Sequence, residues 1–247
     1  MENTNSKIKE ANEYRYDNLH EVDGYIKKRY HSLRLEIGRN MVDDFFKSKD
    51  TNASDIRILE IASSTGFQSN ALQKSGYSIY SSDLQLRPLQ TAKRSFSLKC
   101  IQFDAEFNFP FKSGAFDALF VGELIEHLFD VSNFLNECNR VLSRGGLLVI
   151  TTPNLASLQD RFNFVFGHSP RHINPFHDYL KLHIRPFTKD SLVGALKNFG
   201  FNIVSVKSSF LRIRFKGGKR LNLRFPAKYF PSIGSNLIVG SVKMKEK

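Results

Sequence analysis

Short apolar segments alternate with amphipathic segments along most of the chain. Apolar stretches with the length of β-strands occupy positions 56–62, 77–82, 100–103, 116–121, 147–151, 201–206 and 237–243. Apolar residues recur at helical spacing over 67–74, 87–95, 123–142 and 188–199. Strands and helices that alternate at such short intervals are typical of a parallel sheet covered on both faces, which binds ligands at the carboxyl ends of its strands. We therefore predict an α/β fold with a mostly parallel seven-stranded sheet.

Three segments fall outside this alternation. Residues 1–50 predict an N-terminal helical segment, whereas residues 51–247 are expected to form the main domain. Residues 154–186 interrupt the rhythm after the fifth strand, and we expect them to cap the carboxyl edge of the sheet. Residues 207–235 predict a basic β-hairpin, because apolar and polar residues alternate on both sides of a glycine pair. Its predicted apolar face consists of Leu211, Ile213, Phe215, Leu221, Leu223 and Phe225.

The positive charge of the chain is concentrated near its C-terminus. The net charge is +12, and the eleven Lys or Arg residues and one Glu between Lys207 and Lys247 contribute +10 of it. Such a segment suits phosphates, an anionic membrane surface or nucleic acid, or is a solvated surface without a partner. Two cysteines exclude a disulfide framework. With no secretory signal and no apolar run near the ~20 residues of a membrane span, we expect a cytoplasmic protein, peripheral to a membrane at most.

Three carboxylates stand at the ends of three successive predicted strands. Glu60 ends the first strand, directly before a turn of small residues, and Asp83 follows it after 23 residues. An acidic group about 20 residues beyond such a turn is placed to bind ribose hydroxyls. Asp104 ends the third strand. Together the three carboxylates suit a bound nucleoside that carries a positive charge, and ordinary capping of surface backbone groups is the alternative. A nicotinamide enzyme would need three glycines in the turn to bind a pyrophosphate, and this turn has one.

Five segments in order carry the pattern of a known family. They are Glu60 to Gly66, Phe103-Asp-Ala-Glu106, Phe116-Asp-Ala-Leu119, Glu123-Leu-Ile-Glu-His127, and Arg140-Val-Leu-Ser-Arg-Gly-Gly146 followed by Thr151-Thr-Pro-Asn154. With them the chain resembles the class I methyltransferases from about residue 57 to residue 206. The branch it looks like includes the ubiquinone-biosynthetic O-methyltransferases and methyltransferases of surface-polysaccharide pathways.

The resemblance implies a Rossmann-like fold and S-adenosylmethionine as the cofactor. By analogy with the family, its amino-acid end would contact Glu60 and the turn, its ribose Asp83 with Leu84, and its adenine Asp104 with Ala105. The turn residues that match the family's glycine positions are Ala62, Ser64 and Gly66, so two of three glycines are replaced. Glu123 completes the expected cofactor-binding set.

Histidines near the same edge are candidates for the base that removes a proton from the acceptor. We single out His127 and His183, with His177 as a further candidate. Glu123, Glu126 and His127 are expected on one face of the helix after the fourth strand. Two carboxylates and two imidazoles are also compatible with a divalent metal, and the small-RNA 2′-O-methyltransferases use a similar Glu-x-x-Glu-His arrangement. Purely structural hydrogen bonding of the cap is the alternative to both.

The cap is expected to select the acceptor. It combines cationic residues with phenylalanines, which suits a sugar or ring bearing phosphate or carboxylate. The leading hypothesis is therefore O-methylation of a sugar or small metabolite, in surface glycan or lipid-linked biosynthesis. An RNA 2′-O-methyltransferase is the second hypothesis, and a non-catalytic binding module with a degenerate cofactor site is the third. The acceptor atom and the oligomeric state do not follow from these residues.

Overall fold

A computed structural model describes residues 29–49, 51–170, 172–173, 182–214 and 220–244. Within these ranges none of the helices is long and apolar enough to cross a lipid bilayer. Residues 1–28 of the predicted N-terminal segment lie outside the description. So do the predicted cap residues His177 and Arg171, and the glycine turn of the predicted hairpin.

Seven strands form one sheet, as the alternation of segments predicted. They are β1 (Arg57–Ile61), β2 (Ser78–Asp83), β3 (Lys99–Gln102), β4 (Phe116–Gly122), β5 (Leu142–Pro153), β6 (Phe201–Lys207) and β9 (Asn236–Lys243). Their order is β3-β2-β1-β4-β5-β9-β6. The pairs among β1 to β5 are parallel, and β9 runs antiparallel between β5 and β6. The predicted fold class is confirmed, and the carboxyl ends of β1, β2, β4 and β5 meet at one edge.

The helices cover both faces of this sheet. They are α1 (Arg29–Lys47), α2 (Phe67–Lys74), α3 (Leu86–Phe96), α4 (Val131–Val141), α5 (Leu158–Val165), α6 (Lys189–Asn198) and α7 (Arg224–Tyr229). Successive side chains of a strand point to opposite faces. Accordingly, Phe120 and Val149 pack with Met41 of α1, whereas Leu119 and Ile150 belong to a second buried cluster with residues of α4 and α6. Two buried layers therefore hold the sheet between its helices.

Helix α1 approaches the sheet very closely at Gly38. A Cβ atom at this position would lie 2.7 Å from Cε2 of Phe120. The absence of a side chain lets the backbone of α1 rest on the ring of Phe120. This contact brings the first turns of α1 over the sheet, near the carboxyl ends of β4 and β5.

The predicted helix over 123–142 is wrong in its first part. The chain makes only a short 3-10 turn at Ile125–His127 before α4 begins, with Asp130 as its N-cap accepting from the Asn133 amide at 2.9 Å. Glu123 has a φ of 53°, which is incompatible with a right-handed helix. Glu123, Glu126 and His127 therefore do not share a helix face. The prediction failed because the apolar residues keep their helical spacing across the break in the backbone.

The predicted hairpin is confirmed in part. Strands β7 (Leu211–Arg214) and β8 (Arg220–Leu223) pair antiparallel, with Leu211 opposite Leu223 and Ile213 opposite Leu221. The prediction that the second strand includes Phe225 is wrong, since α7 begins at residue 224. Pro226 accounts for the change, because proline is tolerated in the first turn of a helix but removes a donor from a strand. Phe215 lies outside the described residues.

A partly buried ion pair, with a buried carboxylate and a partly exposed guanidinium, fastens the loop between β3 and β4. Glu137 accepts from the Arg140 guanidinium at 2.7 Å and from the Phe109 amide at 2.6 Å, while Arg140 donates to the carbonyls of Phe109 and Phe111. The hydrogen bond from Arg140 holds the pKa of the Glu137 carboxyl below its usual value. The stabilisation is therefore present above the ordinary carboxyl range and is lost as the pH falls below it.

We expect Arg140→Met to lower the free energy of unfolding by about 3 kcal/mol, because it leaves a buried carboxylate and two carbonyls without their donor. Chemical denaturation at neutral pH measures the loss. The matched control is Arg57→Met at the exposed pair with Asp117, whose N···O distance is 3.5 Å. The control is expected to cost less than about 1 kcal/mol. Equal losses in the two variants would show that burial of the Arg140 pair contributes nothing.

Candidate active site at the carboxyl edge of the sheet

The turn after β1 has the backbone conformation that glycines usually provide. Ala62, Ser64 and Gly66 have φ values of 60°, 50° and 77°, all in the left-handed region. The chain thus keeps the turn although two of the three positions carry a Cβ atom. At Gly66 an added Cβ would lie 2.6 Å from Leu98 Cδ1, so this glycine also permits close packing of α2.

Replacing Ala62 by glycine is expected to raise the free energy of unfolding by about 0.5–1 kcal/mol. A left-handed conformation costs a non-glycine residue about 1–2 kcal/mol, and the extra entropy of glycine in the unfolded chain offsets part of the gain. The control is Ala71→Gly in α2, which is expected to lose about 1 kcal/mol. Chemical denaturation compares the two, and a loss in Ala62→Gly would contradict the strain assigned to the turn.

Glu60 lies buried beneath this turn. Ser69 of α2 donates from its hydroxyl to Glu60 Oε2, and the residue is 5% exposed. Burial raises the pKa of the carboxyl to about 8; the hydrogen bonds from Ser69 oppose the shift, and the negative charge of Asp83 adds to it. Below that pH the side chain is a neutral acid, and a cation placed beside it would favour its ionisation.

Asp83 ties the turn to the tip of β2. Its Oδ2 accepts from the Ser64 amide at 2.8 Å, and its Oδ1 accepts from the Gln85 amide at 3.0 Å. These two backbone amides fix the orientation of the carboxylate at the tip of β2. Leu84 follows it, half-buried, and its carbonyl accepts from the Gln102 side chain.

Asp104 and Ala105 lie just beyond the end of β3. Asp104 is half-buried and accepts from the Glu106 amide at 3.0 Å, while Ala105 is buried. Glu106 in turn accepts from the backbone amides of Phe129 and Asp130. These bonds join the loop after β3 to the loop after β4 across the carboxyl edge of the sheet.

Glu123 is held by an arginine that the sequence analysis did not single out. Arg34 of α1 is buried, and its Nη1 lies 2.5 Å from Glu123 Oε1 and 3.3 Å from Thr151 Oγ1. The positive charge of Arg34 also favours the ionised form of Glu60. A signal existed, since Arg34 precedes Gly38, Met41 and Val42 at helical spacing and thus stands on the face of α1 that packs on the sheet.

His127 and His183 come together although 56 positions separate them. Their ring centroids are 4.8 Å apart, and the rings meet edge to face. The Arg185 amide donates to the Glu126 carbonyl at 3.0 Å, which brings the end of the cap back along the turn after β4. Glu126 is buried and accepts from Thr152 Oγ1 at 3.0 Å. One ligand atom from each of Glu126, His127 and His183 lies within 4.8 Å of the others.

The orientation of His127 is fixed by the backbone. Its Nδ1 lies 2.9 Å from the Leu182 carbonyl oxygen, and a carbonyl only accepts, so Nδ1 carries a proton. Nε2 is therefore the nitrogen that exchanges a proton or binds a cation, and it lies 3.9 Å from Glu126 Oε1. On the other side His172 stacks on His183, with ring centroids 6.2 Å apart.

A known protein family matches the part of the chain that contains these carboxylates. Residues 59–150, from the first strand to the fifth, match the family model described as a methyltransferase domain. This part of the chain, a little over a third of its length, is similar in sequence to S-adenosylmethionine-dependent methyltransferase domains. The match contains the turn after β1, Asp83, Asp104 and the Glu126 and His127 pair.

Curated relatives of the methyltransferase domain cover part of the chain. A probable S-adenosylmethionine-dependent methyltransferase of Mycobacterium tuberculosis is 35% identical over 101 residues, which are 41% of this chain and 32% of the relative. A ubiquinone biosynthesis O-methyltransferase of Pelagibacter ubique is 25% identical over 130 residues, 51% of this chain and 54% of the relative. The chain thus spans about a third to a half of the length of these relatives.

Solved structures with the same fold cover nearly all of the chain. A possible histamine N-methyltransferase of Thermotoga maritima has a TM-score of 0.61 at 17% identity, covering 90% of this chain and 96% of that one. The complex between the Haloferax volcanii Trm112 methyltransferase activator and a methyltransferase contains a chain with a TM-score of 0.66 at 12% identity, covering 94% and 97%. At these identities the likeness concerns the fold of the methyltransferase domain alone.

Proposed function

We propose that the protein transfers a methyl group from S-adenosylmethionine to an oxygen of an anionic sugar or small metabolite. The observation that carries the proposal is the row of carboxylates at adjoining strand tips, with two imidazoles at the same edge. Carboxylates around a turn suit a cofactor that bears a sulfonium and an ammonium group. Methyl transfer then needs little beyond in-line positioning and removal of a proton from the acceptor.

The residues at this edge fit the cofactor. Two buried polar atoms beside Asp83 and the turn, Thr65 Oγ1 and Gln85 Nε2, have no hydrogen-bond partner in the described part of the chain. We assign the amino-acid end to Glu60 and the turn of Ala62, Ser64 and Gly66. Asp83 with Leu84 would hold the ribose, and Asp104 with Ala105 the adenine. Glu123, whose carboxylate is paired with Arg34, would contact the cofactor from the end of β4. When bound, S-adenosylmethionine supplies an electrophilic methyl group.

His127 is the proposed general base. The Leu182 carbonyl fixes its tautomer, so the lone pair resides on Nε2 and can accept the proton of an acceptor hydroxyl. Glu126 lies beside Nε2 and would stabilise the imidazolium that forms. His183 packs edge to face on His127 and is assigned the role of a positioning residue.

A divalent metal is the second role that the cluster supports. Glu126, His127 and His183 combine a carboxylate with two imidazoles, a set suited to Zn²⁺ or Mn²⁺, and a backbone carbonyl orients one imidazole as is common around metal sites. Assays after treatment with EDTA, with and without added Mn²⁺, separate the roles. Activity that survives EDTA supports the base alone, whereas activity restored only by Mn²⁺ assigns the cluster to a metal.

The acceptor class follows from the surroundings of the edge. The described cap residues include the cations Arg161 and Arg185 and the exposed rings of Phe162 and Phe164. Cations next to aromatic faces suit a ring that bears phosphate or carboxylate. An RNA acceptor could bind the same cations through its phosphates. In that case the methyl group would be transferred to a 2′-hydroxyl of a nucleotide. A sugar linked to an anionic lipid has both a ring and a negative charge, and it is included in the proposed acceptor class.

The proposal is tested by incubating the full chain with S-adenosylmethionine carrying a labelled methyl group. The acceptor panel contains nucleotide sugars, sugar phosphates, lipid-linked glycans and short single-stranded RNA. Label on a sugar oxygen is the expected result. Label on RNA would replace the proposed acceptor class, and binding of the cofactor without transfer to any member would support a non-catalytic module instead.

A further inference from the structure

Two neighbouring helices expose aromatic side chains in unusual number. In and directly after these helices, six rings are more than half exposed: Phe162, Phe164, Phe166, Phe225, Tyr229 and Phe230. Within α7, the rings of Phe225 and Tyr229 contact each other at a tilt, with centroids 4.8 Å apart, on the side opposite the buried Ala227. Clustered exposed apolar side chains in a protein otherwise built around a buried core indicate an interaction site.

The exposed rings belong to one region of the surface. Helix α5 and helix α7 both contact β7, and Arg161 of α5 donates to the Ser232 carbonyl just beyond α7 at 3.1 Å. We call the exposed side chains of residues 161–166 and 220–230 the aromatic surface. Asn154, at the end of β5, donates to the same Ser232 carbonyl at 2.9 Å, so this surface adjoins the carboxyl edge of the sheet.

Every charged side chain of the aromatic surface is a cation. Arg161, Arg220, Arg224 and Lys228 are exposed, and residues 161–166 and 220–230 contain no Asp or Glu. Lys228 Nζ lies 5.6 Å from the centre of the Tyr229 ring. Phenylalanine and tyrosine between cations form the pattern by which proteins lie on bilayers with negative headgroups.

We propose that the aromatic surface docks on an anionic lipid bilayer. The rings would enter the boundary between headgroups and acyl chains. The four cations would lie within a Debye length of the negatively charged lipid surface, where each of them strengthens binding. A second copy of the chain presenting the same surface would bring like charges together. A nucleic acid would stack on the rings, but it gains nothing from the exposed Val165 and Leu221, which acyl chains accommodate.

Docking in this way would bring the carboxyl edge of the sheet close to the bilayer. An acceptor carried on an anionic lipid would then reach the site without leaving the membrane. Docking itself needs neither cofactor nor acceptor. Its failure and the failure of the proposed methyl transfer are therefore separate results.

Co-sedimentation of the full chain with vesicles tests the proposal. Vesicles of phosphatidylcholine alone are compared with vesicles containing about 30 mol% phosphatidylglycerol, at low and at physiological salt. Binding is expected only to the anionic vesicles, weaker at the higher salt. The double variant Phe162→Ser/Phe225→Ser is expected to bind at least about tenfold more weakly, because two apolar side chains no longer leave water. Phe107→Ser, which removes a ring 57% exposed elsewhere, is the control and is expected to bind as the parent does.

Three results would overturn the proposal. The first is absence of binding to anionic vesicles at low salt. The second is binding that the double variant leaves unchanged, which would assign it to charge alone. The third is a dimer, detected by light scattering in the absence of lipid, that the double variant converts to a monomer. If the chain does not bind anionic vesicles but binds RNA in a salt-dependent way that the double variant abolishes, the proposal is overturned in favour of a nucleic-acid surface.

Discussion

His127→Ala is expected to lower kcat by about 10²–10⁴-fold while the Kd for S-adenosylmethionine stays the same. The substitution removes the imidazole whose Nδ1 is fixed by the Leu182 carbonyl and whose Nε2 lies beside Glu126. The proposed base would contact the acceptor rather than the cofactor, so the loss is expected in the chemical step. Single-turnover kinetics with the best acceptor, together with calorimetric titration of the cofactor, separates the two quantities.

Imidazole added to His127→Ala is expected to restore part of the rate, since a free base can occupy the space that the side chain leaves. A purely structural role of His127 would not be rescued in this way. Lys197→Ala removes an exposed side chain near the end of α6, outside the cap and the carboxyl edge, and serves as the control, with an expected rate equal to that of the parent with and without imidazole. A rate for His127→Ala within about twofold of the parent would rule out the proposed base.

The affinity for S-adenosylmethionine is expected to rise with pH up to about 8 and then to level off, as ionisation of Glu60 predicts. In the free protein, burial holds this carboxyl neutral below that pH. The ammonium group of the cofactor favours the carboxylate, so the pKa is lower in the complex and binding releases a proton. By linkage the association constant then increases by up to about tenfold per pH unit below the free-protein pKa.

Calorimetric titrations between pH 6 and 8.5, in buffers with different ionisation enthalpies, measure both the affinity and the proton released. Glu60→Gln keeps a neutral polar side chain beside Ser69 and is expected to show a flat pH dependence and no proton release. Asp117→Asn, at the opposite end of the sheet, serves as the control and is expected to keep the slope of the parent. A parent affinity independent of pH would place the ammonium group away from Glu60.

The sequence predicted the parts of the site that follow from local pattern. Apolar strands ending in Glu60, Asp83 and residues near Asp104 are local features, and parallel topology then brings their ends together. The turn after β1 was also predicted although two family glycines are replaced, because Ala62 and Ser64 adopt the left-handed conformation that glycine favours. The seven-stranded sheet was predictable for the same reason.

The parts that escaped prediction depend on tertiary contacts or on single backbone angles. Arg34 reaches Glu123 across 89 positions of sequence, which no local pattern encodes. The positive φ of Glu123, directly after Gly122, interrupts the backbone at a residue type that rarely adopts this conformation, whereas the helical spacing of apolar residues continues past it. The aromatic surface escaped because Phe225 was expected on the apolar face of a hairpin, whereas it lies in a helix that begins at Arg224 and leaves this ring exposed.

Calorimetric titration of the full chain with S-adenosylmethionine tests the central claim most directly, with Asp83→Asn as the variant. Asparagine keeps an acceptor for the Ser64 amide and removes the charge, so the turn should survive. The account predicts micromolar binding, about −8 kcal/mol, by the parent and at least about tenfold weaker binding by Asp83→Asn. No detectable binding by the parent, or equal binding by a folded Asp83→Asn, would contradict the assignment of this edge as the cofactor site.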